Sequence, residues 1–508
     1  MTFGGRLATA GLGGLFVCAA LCAALPGGAY VLAGLLSVSL GIAARDRYQS
    51  RDPLLRNYPL LGRLHGGLHL AGKLLGWKQP LAPYDWALME LVQDRAEGKG
   101  SISAFGAQLP SPRVSLLHAV QPAPMDRVPE RIVIGGGQCA QPYSASYLNI
   151  SALAFGAISE RAIEALGRGA KEGDFFYNTG EAGLPDTFLL SGSDLVWQLG
   201  TGYFGCRDRS GHYDDGAFRE KAALDAVKMI EVKLSQGAKP AKGGLLPGEK
   251  VTARVAEVCQ IPAGEDSVLP ATHSAFSSPV GLLEFLAKLR ASAGGKPVGF
   301  KLCVGRASDV FAIAKAIAVT GLSPDFISVD GAEGGTGAAP VEFQSFVGMP
   351  LGLALPLVRD ALVGCGVREQ VKIIASGKIT TGADMVAALA AGADLCAAAR
   401  PFMIALGCMQ ALICASNRCP VGITTQDPRL TRGIVPRAQA SKVARYHAQT
   451  VLAFRELVSA LGCTPSELGP GHLLPAARTT ELEPGQLLAG SIPREYESAW
   501  RAADPERF

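Results

Sequence analysis

From Tyr147 onward the chain alternates short apolar runs of strand character with helical patterns, and that repeat constrains the fold more than any other feature. Candidate strands fall at residues 148–153, 175–178, 229–234, 298–303, 326–329, 371–375 and 395–398. Candidate helices begin near Ser159, Lys250, Ser308, Leu351, Thr381 and Pro401. Strand followed by helix, many times over, means parallel strands joined by crossover helices. Seven strands are one short of a closed (β/α)8 TIM-type barrel, and the stretch 191–206 is where the eighth is expected. Polar or glycine-rich segments follow the strands directly: Asn178-Thr179-Gly180-Glu181, Gln236 with Lys239, Asp330 through Gly337, and Ser376-Gly377-Lys378. In such barrels the active site is built from the loops at the strand C-termini. The 62 Gly and 32 Pro show no repeat period, so the glycines are assigned to turns and close backbone approaches. A net charge of +4, with basic and acidic residues interleaved, argues against a nucleic-acid partner.

Ahead of the barrel pattern lie two uncharged runs, residues 7–25 and 29–44, separated by Pro26-Gly27-Gly28. They read as a two-helix membrane hairpin. Arg6 before it and Arg45, Arg47 and Arg51 after it place both ends, and so the catalytic part, on the cytoplasmic side of a multi-pass membrane protein. The competing reading is a cleaved signal peptide ending at Ala23-Ala24-Leu25. The expected division is an anchor at 1–50, a juxtamembrane and pre-barrel segment at 51–146, the barrel at 147–448 and a tail at 449–508. In the second segment Trp77 and Tyr84 are expected near the membrane interface.

Most of the twelve cysteines are scattered, but Cys408, Cys414 and Cys419 follow a Cys-x5-Cys-x4-Cys-Pro pattern. Three soft thiolates on one loop suit an iron–sulfur cluster, with three local ligands favouring three irons over four. Three buried thiols at a helix end give the same spacing without chemistry. Further along the barrel, Ser376-Gly377-Lys378 and Ala398-Ala399-Arg400 sit where barrels hold a phosphate, with Gly377 admitting the backbone and Lys378 or Arg400 supplying charge.

The run from Cys408 to Pro428, Cys-Met-Gln-Ala-Leu-Ile-Cys-Ala-Ser-Asn-Arg-Cys-Pro-Val-Gly-Ile-Thr-Thr-Gln-Asp-Pro, resembles the cluster loop of glutamate synthases. The resemblance extends back to Ser151-Ala152-Leu153-Ala154-Phe155-Gly156-Ala157-Ile158-Ser159. It includes Asn178-Thr179-Gly180-Glu181-Ala182-Gly183, Gln236-Gly237-Ala238-Lys239-Pro240, Leu246-Pro247-Gly248 and Glu333-Gly334-Gly335-Thr336-Gly337-Ala338. It implies an FMN-binding barrel with a [3Fe-4S] cluster on Cys408, Cys414 and Cys419, in which reduced flavin converts 2-iminoglutarate to glutamate. It also implies FMN contacts from Ala152, Leu153, Ala154, Lys301, Gly334, Gly335, Gly377, Lys378, Ala399 and Arg400, with Lys301 beside the flavin ring. Glu181, Gln236 and Lys239 then handle the oxo acid and the incoming nitrogen, Lys239 on a carboxylate and Glu181 on an ammonium or imine.

Three departures qualify the substrate. No glutaminase domain is expected before the barrel and no long β-helix after it. An Arg of the family is missing from Val255-Ala256-Glu257-Val258-Cys259-Gln260, and Leu245 replaces a Gln. An oxo or amino acid other than 2-oxoglutarate is therefore a competing substrate, and an FMN-dependent isomerase or a membrane electron-relay subunit are competing classes. His273 reads equally as a pocket residue or a packed core histidine. No Gly-x-Gly-x-x-Gly follows a strand, so the electron donor is expected to be a separate ferredoxin or reductase subunit.

Overall fold

The computed structural model describes residues 28–74, 83–99, 109, 114–475 and 503–506. Eight parallel strands close into a barrel: β1 (Leu148–Ile150), β2 (Tyr177–Asn178), β3 (Leu195–Leu199), β4 (Val227–Lys233), β5 (Val298–Leu302), β6 (Phe326–Asp330), β7 (Lys372–Ser376) and β8 (Leu395–Ala398). Neighbours in sequence are neighbours in space, and β8 pairs β1 through Ala397 opposite Asn149. The eighth strand expected within 191–206 is β3, whose five residues are all buried. Burial on both faces removes the alternation that marks a half-buried strand, and its one polar residue, Gln198, donates to Glu231.

The crossover helices start on side-chain caps. Ser159 Oγ accepts from Ala162 N before the helix Glu160–Glu172, and Thr381 forms a capping box with Asp384 before Gly382–Ala390. A long helix, Pro436–Ala460, lies along Glu160–Glu172, and a Cβ on Gly169 would come 2.6 Å from Val443 Cβ. Only glycine permits that approach. His447 on the long helix stacks on Phe175 at 3.9 Å and donates from Nε2 to the Leu148 carbonyl at 3.0 Å. Burial pushes its pKa down to about 3, so it is a neutral core residue that ties the helix to β1.

At the barrel's N-terminal end, Arg290 Nε donates to Asp325 Oδ2 at 2.9 Å and its Nη2 to the Ser323 carbonyl at 2.6 Å. Asp325 also accepts from Val298 N at 2.8 Å, so one buried carboxylate joins a helix to the starts of β5 and β6. Arg290→Met should lower the urea midpoint by an amount equivalent to about 3–5 kcal/mol, because a buried charge loses its partner. The site at the other end should be unaffected in the folded fraction, and a loss below about 1 kcal/mol would contradict the buried-pair account.

The expected membrane hairpin is overturned. Among the described residues no helix is long and apolar enough to cross a membrane, and the first apolar run, 7–25, lies outside those residues. The second run lies in the helix Gly28–Tyr48, which continues into Arg45, Asp46 and Arg47. Its uncharged part, residues 29–44, spans about 24 Å at 1.5 Å per residue, short of a hydrocarbon core of about 30 Å. The multi-pass membrane placement and the cytoplasmic orientation inferred from it fall with the hairpin. Asp46 is buried in an ion pair with Arg63 at 2.6 Å. The pre-barrel segment instead docks on the barrel: Asn57 Nδ2 donates to the carbonyls of Pro420 (2.9 Å) and Leu430 (2.7 Å), and Arg56 Nε to that of Arg432 (2.8 Å). Tyr84 is 3% exposed and packs against the cysteine loop, not at a membrane interface. Trp77 lies outside the described residues.

Candidate functional site

Strand alternation decides which side chains enter the barrel. Along β4, Glu231 and Lys233 share a face, and in register with them Gly299 and Lys301 share a face of β5. Glu231 is 2% exposed and accepts from Asn178 Nδ2 (2.8 Å), Gln198 Nε2 (2.5 Å) and Ser328 Oγ (2.5 Å). Four strands thus meet on one carboxylate. Above it Lys301 Nζ lies 3.4 Å from Asp330 Oδ2. Burial alone would lower the Lys301 pKa, but Asp330 and Glu231 outweigh it and hold the ammonium above its usual range.

The loop after β4 is pinned to β6, since Gly237 N donates to Asp330 Oδ2 at 2.9 Å and Lys239 N to the Gln236 carbonyl at 3.3 Å. A Cβ on Gly237 would meet Gly331 O at 1.9 Å, so glycine is required for this contact. The loop carries Gln236, partly buried, and Lys239, 4% exposed. Glu181, after β2, takes an ion pair of 2.6 Å from Lys233 Nζ at the end of β4. Burial raises the Glu181 pKa, but Lys233 foremost, then Lys239, bring it below the ordinary carboxylate value. For Lys239, burial and the like charge of Lys233 push the pKa down to about 8 against the partial offset of Glu181. Among the described residues no carboxylate lies within ion-pair distance of Lys239. Glu181, Gln236 and Lys239 are therefore on adjoining loops. Lys233, which completes the group, escaped the sequence reading because it sits inside a predicted strand. Charged residues two apart in an apolar strand, Glu231 and Lys233, were the available signal.

His273 is a packed residue. Its Nε2 faces the Lys233 carbonyl at 2.9 Å, which can only accept, so Nε2 carries the proton and Nδ1 accepts from the Tyr203 hydroxyl at 2.9 Å. Cys259, in the stretch 255–260 from which the expected Arg is missing, is 1% exposed with its thiol directed to the Ala182 carbonyl at 3.5 Å. The neighbouring Arg207 is engaged with the Gln260 carbonyl at the helix end. Leu245 lies in a two-stranded ladder with Val268.

The loops after β6, β7 and β8 converge in turn. Gly331 N donates to the Ser376 carbonyl at 2.8 Å, and Arg400 Nη2 to the Glu333 carbonyl at 2.6 Å. A Cβ on Gly335 would lie 3.0 Å from the Arg400 guanidinium carbon. Gly377 and Lys378 both take positive φ, 140° and 52°. Ser151 N donates to the Ala398 carbonyl at 2.9 Å and Ser151 Oγ pairs with Ser376 Oγ at 3.3 Å. The following Ala152, Leu153 and Ala154 lead from this cradle toward Glu181, Ala154 lying against Gly180 and Leu153 N donating to the Asn178 carbonyl at 3.3 Å. Gly334, Gly335, Gly377, Lys378, Ala399 and Arg400 are thus brought to one rim, next to Lys301. Backbone groups, glycines and a guanidinium on one rim suit a phosphate-bearing cofactor.

Beside that rim lies a cavity of about 90 Å³ lined by Cys408, Cys414 and Cys419 together with Tyr84, Arg400 and Gln410. Burial pushes the Cys408 thiol up to about 12, with Cys419 and Cys414 adding to the rise. Among the described residues no three His, Cys, Asp or Glu close on a point that one metal ion would occupy. Lys250, 2% exposed, lies near Cys414 and Cys419 and donates to the Ala157 carbonyl at 3.0 Å; burial lowers its pKa to about 8. Tyr84 closes the cavity, its backbone paired both ways with the Gln410 amide (2.9 and 2.8 Å) and its ring under Arg400 at 5.2 Å. Neither Lys250 nor Tyr84 was legible as a site residue.

Comparison with known proteins follows the same outline. The chain is 32% identical over 491 residues to the glutamate synthase large subunit-like protein YerD of Bacillus subtilis, covering 86% of this chain and 92% of that one. It is 34% identical over 318 residues to an archaeal-type glutamate synthase (NADPH) of Thermotoga neapolitana, spanning 62% of this chain and 59% of that protein. A flavocytochrome b2 variant with sulfite bound covers 79% of this chain and 83% of its own at 15% identity and a TM-score of 0.46, and the barrel rests on its own strand pairing instead. The conserved region in glutamate synthase matches residues 124–464, and the chain belongs to the glutamate synthase family.

Proposed function

We propose that this protein is an FMN-dependent oxidoreductase that reduces a 2-imino acid to an amino acid, with electrons entering through a three-iron cluster on Cys408, Cys414 and Cys419. The carrying observation is a buried Lys239, on a loop that Asp330 ties to the buried Lys301, beside an ionised Glu181. Overall, a 2-oxo acid and ammonium take up two electrons and two protons to give the amino acid and water. Glutamate from 2-oxoglutarate is the reaction the family name suggests, and a smaller oxo acid is the reading the pocket charges favour. Bound there, FMN would supply the hydride equivalent and the cluster the electrons that replenish it.

Lys239 holds the substrate carboxylate by a charge-assisted bond. Glu181 faces the nitrogen, stabilising the ammonium and the iminium carbon–nitrogen unit as it forms. Lys301 places a fixed positive charge where the ring would gain negative charge on reduction. Gly334, Gly335, Gly377 and Arg400 would hold the phosphate, with Lys378 on the same turn. The cysteine cavity borders Arg400, so the two cofactor sites adjoin. A separate donor, a ferredoxin or a reductase subunit, is expected to load the cluster. The test is flavin and iron analysis of the purified protein followed by ammonium-dependent turnover with a reduced dye; flavin without iron would remove the cluster from this scheme.

The same charges set a pH dependence. Lys239 binds carboxylate only while protonated, and its pKa of about 8 means the proton leaves as pH rises through 8. KM for the oxo acid should rise above that pH, toward about tenfold per unit, with kcat changing little. A flat KM across the range would show that Lys239 does not contact the carboxylate.

A further inference from the structure

Lys233 has no role in the scheme above, yet it touches the one carboxylate that scheme uses. It ends β4 on the same inward face as Glu231, and its Nζ stands 2.6 Å from Glu181 Oε1 with the two side chains only 10% and 18% exposed. Its backbone is fixed as well, since the Lys233 carbonyl accepts from His273 Nε2 at 2.9 Å and Leu234 N donates to the Lys301 carbonyl at 2.8 Å. Glu181 has little freedom of its own. A Cβ on Gly200 would lie 2.5 Å from Oε2 and one on Gly244 3.0 Å from Oε1, so both glycines leave the room its carboxylate fills.

The groups that face Glu181 come from three elements: Lys233 from β4, Lys239 from the loop beyond it, and His273 from the loop before the helix Pro279–Ser292. Neutral His273 is occupied by the Lys233 carbonyl and Tyr203. Only Lys233 makes an ion pair with Glu181 among the described residues. A carboxylate in so confined a place would otherwise take up a proton and lose its attraction for a cationic nitrogen.

We propose that Lys233 is a positioning residue for the amination half of the reaction proposed above: its ammonium keeps Glu181 ionised and aimed at the nitrogen, leaving Lys239 as the cation for the substrate carboxylate. The Lys233–Glu181 pair is neutral as a unit, so the charge offered to substrate is that of Lys239. This rests on the function proposed above, but Glu181 can be followed without substrate.

The experiment uses full-length protein carrying glutamate labelled with carbon-13 at the side-chain carboxyl, with E181Q identifying the Glu181 resonance. In K233M the Glu181 titration midpoint should rise by at least about one pH unit, a tenfold change in proton affinity, and K233R should return it close to the native value. K233Q, which keeps a donor without the charge, serves the same comparison should K233M not fold. An unmoved midpoint in folded K233M or K233Q overturns the proposal. In turnover, K233M should raise KM for ammonium more than KM for the oxo acid, with recovery in K233R; equal changes in both would also overturn it. A shifted midpoint in a protein that shows no amination with any oxo acid would uphold the pairing and remove the reaction.

Discussion

Cys414→Ala is expected to leave the purified protein with little or no iron while flavin stays bound at its native stoichiometry. The two proposed cofactor sites share a wall at Arg400 but draw on different residues: the thiols on the loop after the helix Arg400–Ala405, the phosphate cradle on the loops after β6 and β7. Three thiolates are the fewest that hold a three-iron cluster, so the loss of one removes a third of the ligation, and among the described residues no other cysteine lines the cavity to replace it. Buried thiols are poor ligands until deprotonated, and Cys408 is pushed up to about 12 by burial and its neighbours. Cluster binding would therefore have to displace the Cys408 proton, which ties occupancy to an intact ligand set. Lys250, buried near Cys414 and Cys419, adds a positive charge on the side where an anionic cluster would need one. Iron measured by elemental analysis together with the flavin absorption band decides the matter. Stoichiometric iron in Cys414→Ala would show the triad to be packing, the alternative its spacing always allowed.

The barrel was legible because parallel strands joined by helices leave a repeated pattern, and seven of the eight strands announced themselves by apolar runs ending in polar loops. The eighth, Leu195–Leu199, did not, because Gln198 sits among apolar neighbours and finds its partner only in Glu231, on the next strand. The site was legible as loops and not as a network. Glu181, Gln236, Lys239 and the glycines stand in loops where polar residues attract notice. Glu231 and Lys233 stand inside a strand, and only closure of the barrel turns them inward together. The amino-terminal error had a different source. An uncharged run says how much apolar surface there is, but length decides whether it spans, and the helix Gly28–Tyr48 acquires charge before it is long enough. Tyr84 and Asn57 were unreadable for the reason most long-range contacts are: their partners, Gln410 and Pro420, are more than three hundred residues away.

Short monocarboxylic 2-oxo acids are expected to be used at least about tenfold more efficiently, as kcat/KM, than 2-oxoglutarate, and Lys239→Met is expected to reduce both. Among the described residues the pocket has one buried cation left over for the substrate carboxylate, because Lys233 is paired with Glu181 and Lys301 with Asp330. A second carboxylate would need a second cation. In the stretch 255–260, where an Arg of the family is expected, the Cys259 thiol turns to the Ala182 carbonyl, and the adjacent Arg207 is engaged with the Gln260 carbonyl. A charge-assisted hydrogen bond contributes about 1.5–3 kcal/mol, so its absence costs about ten- to a hundred-fold in affinity for the dicarboxylate, before any penalty for burying the second charge unpaired. Lys239→Met removes the remaining cation and should cost a similar factor for a monocarboxylate, seen mainly in KM. The measurement is steady-state turnover with ammonium and a reduced dye over a series of oxo acids of increasing length. Tight and rapid use of 2-oxoglutarate alone would mean that a group outside this pocket's buried set, such as the exposed Lys242 near Phe343, holds the distal carboxylate. In that case Lys242→Met would lose activity toward 2-oxoglutarate while sparing the shorter acids, because the distal carboxylate is the only feature that separates the two.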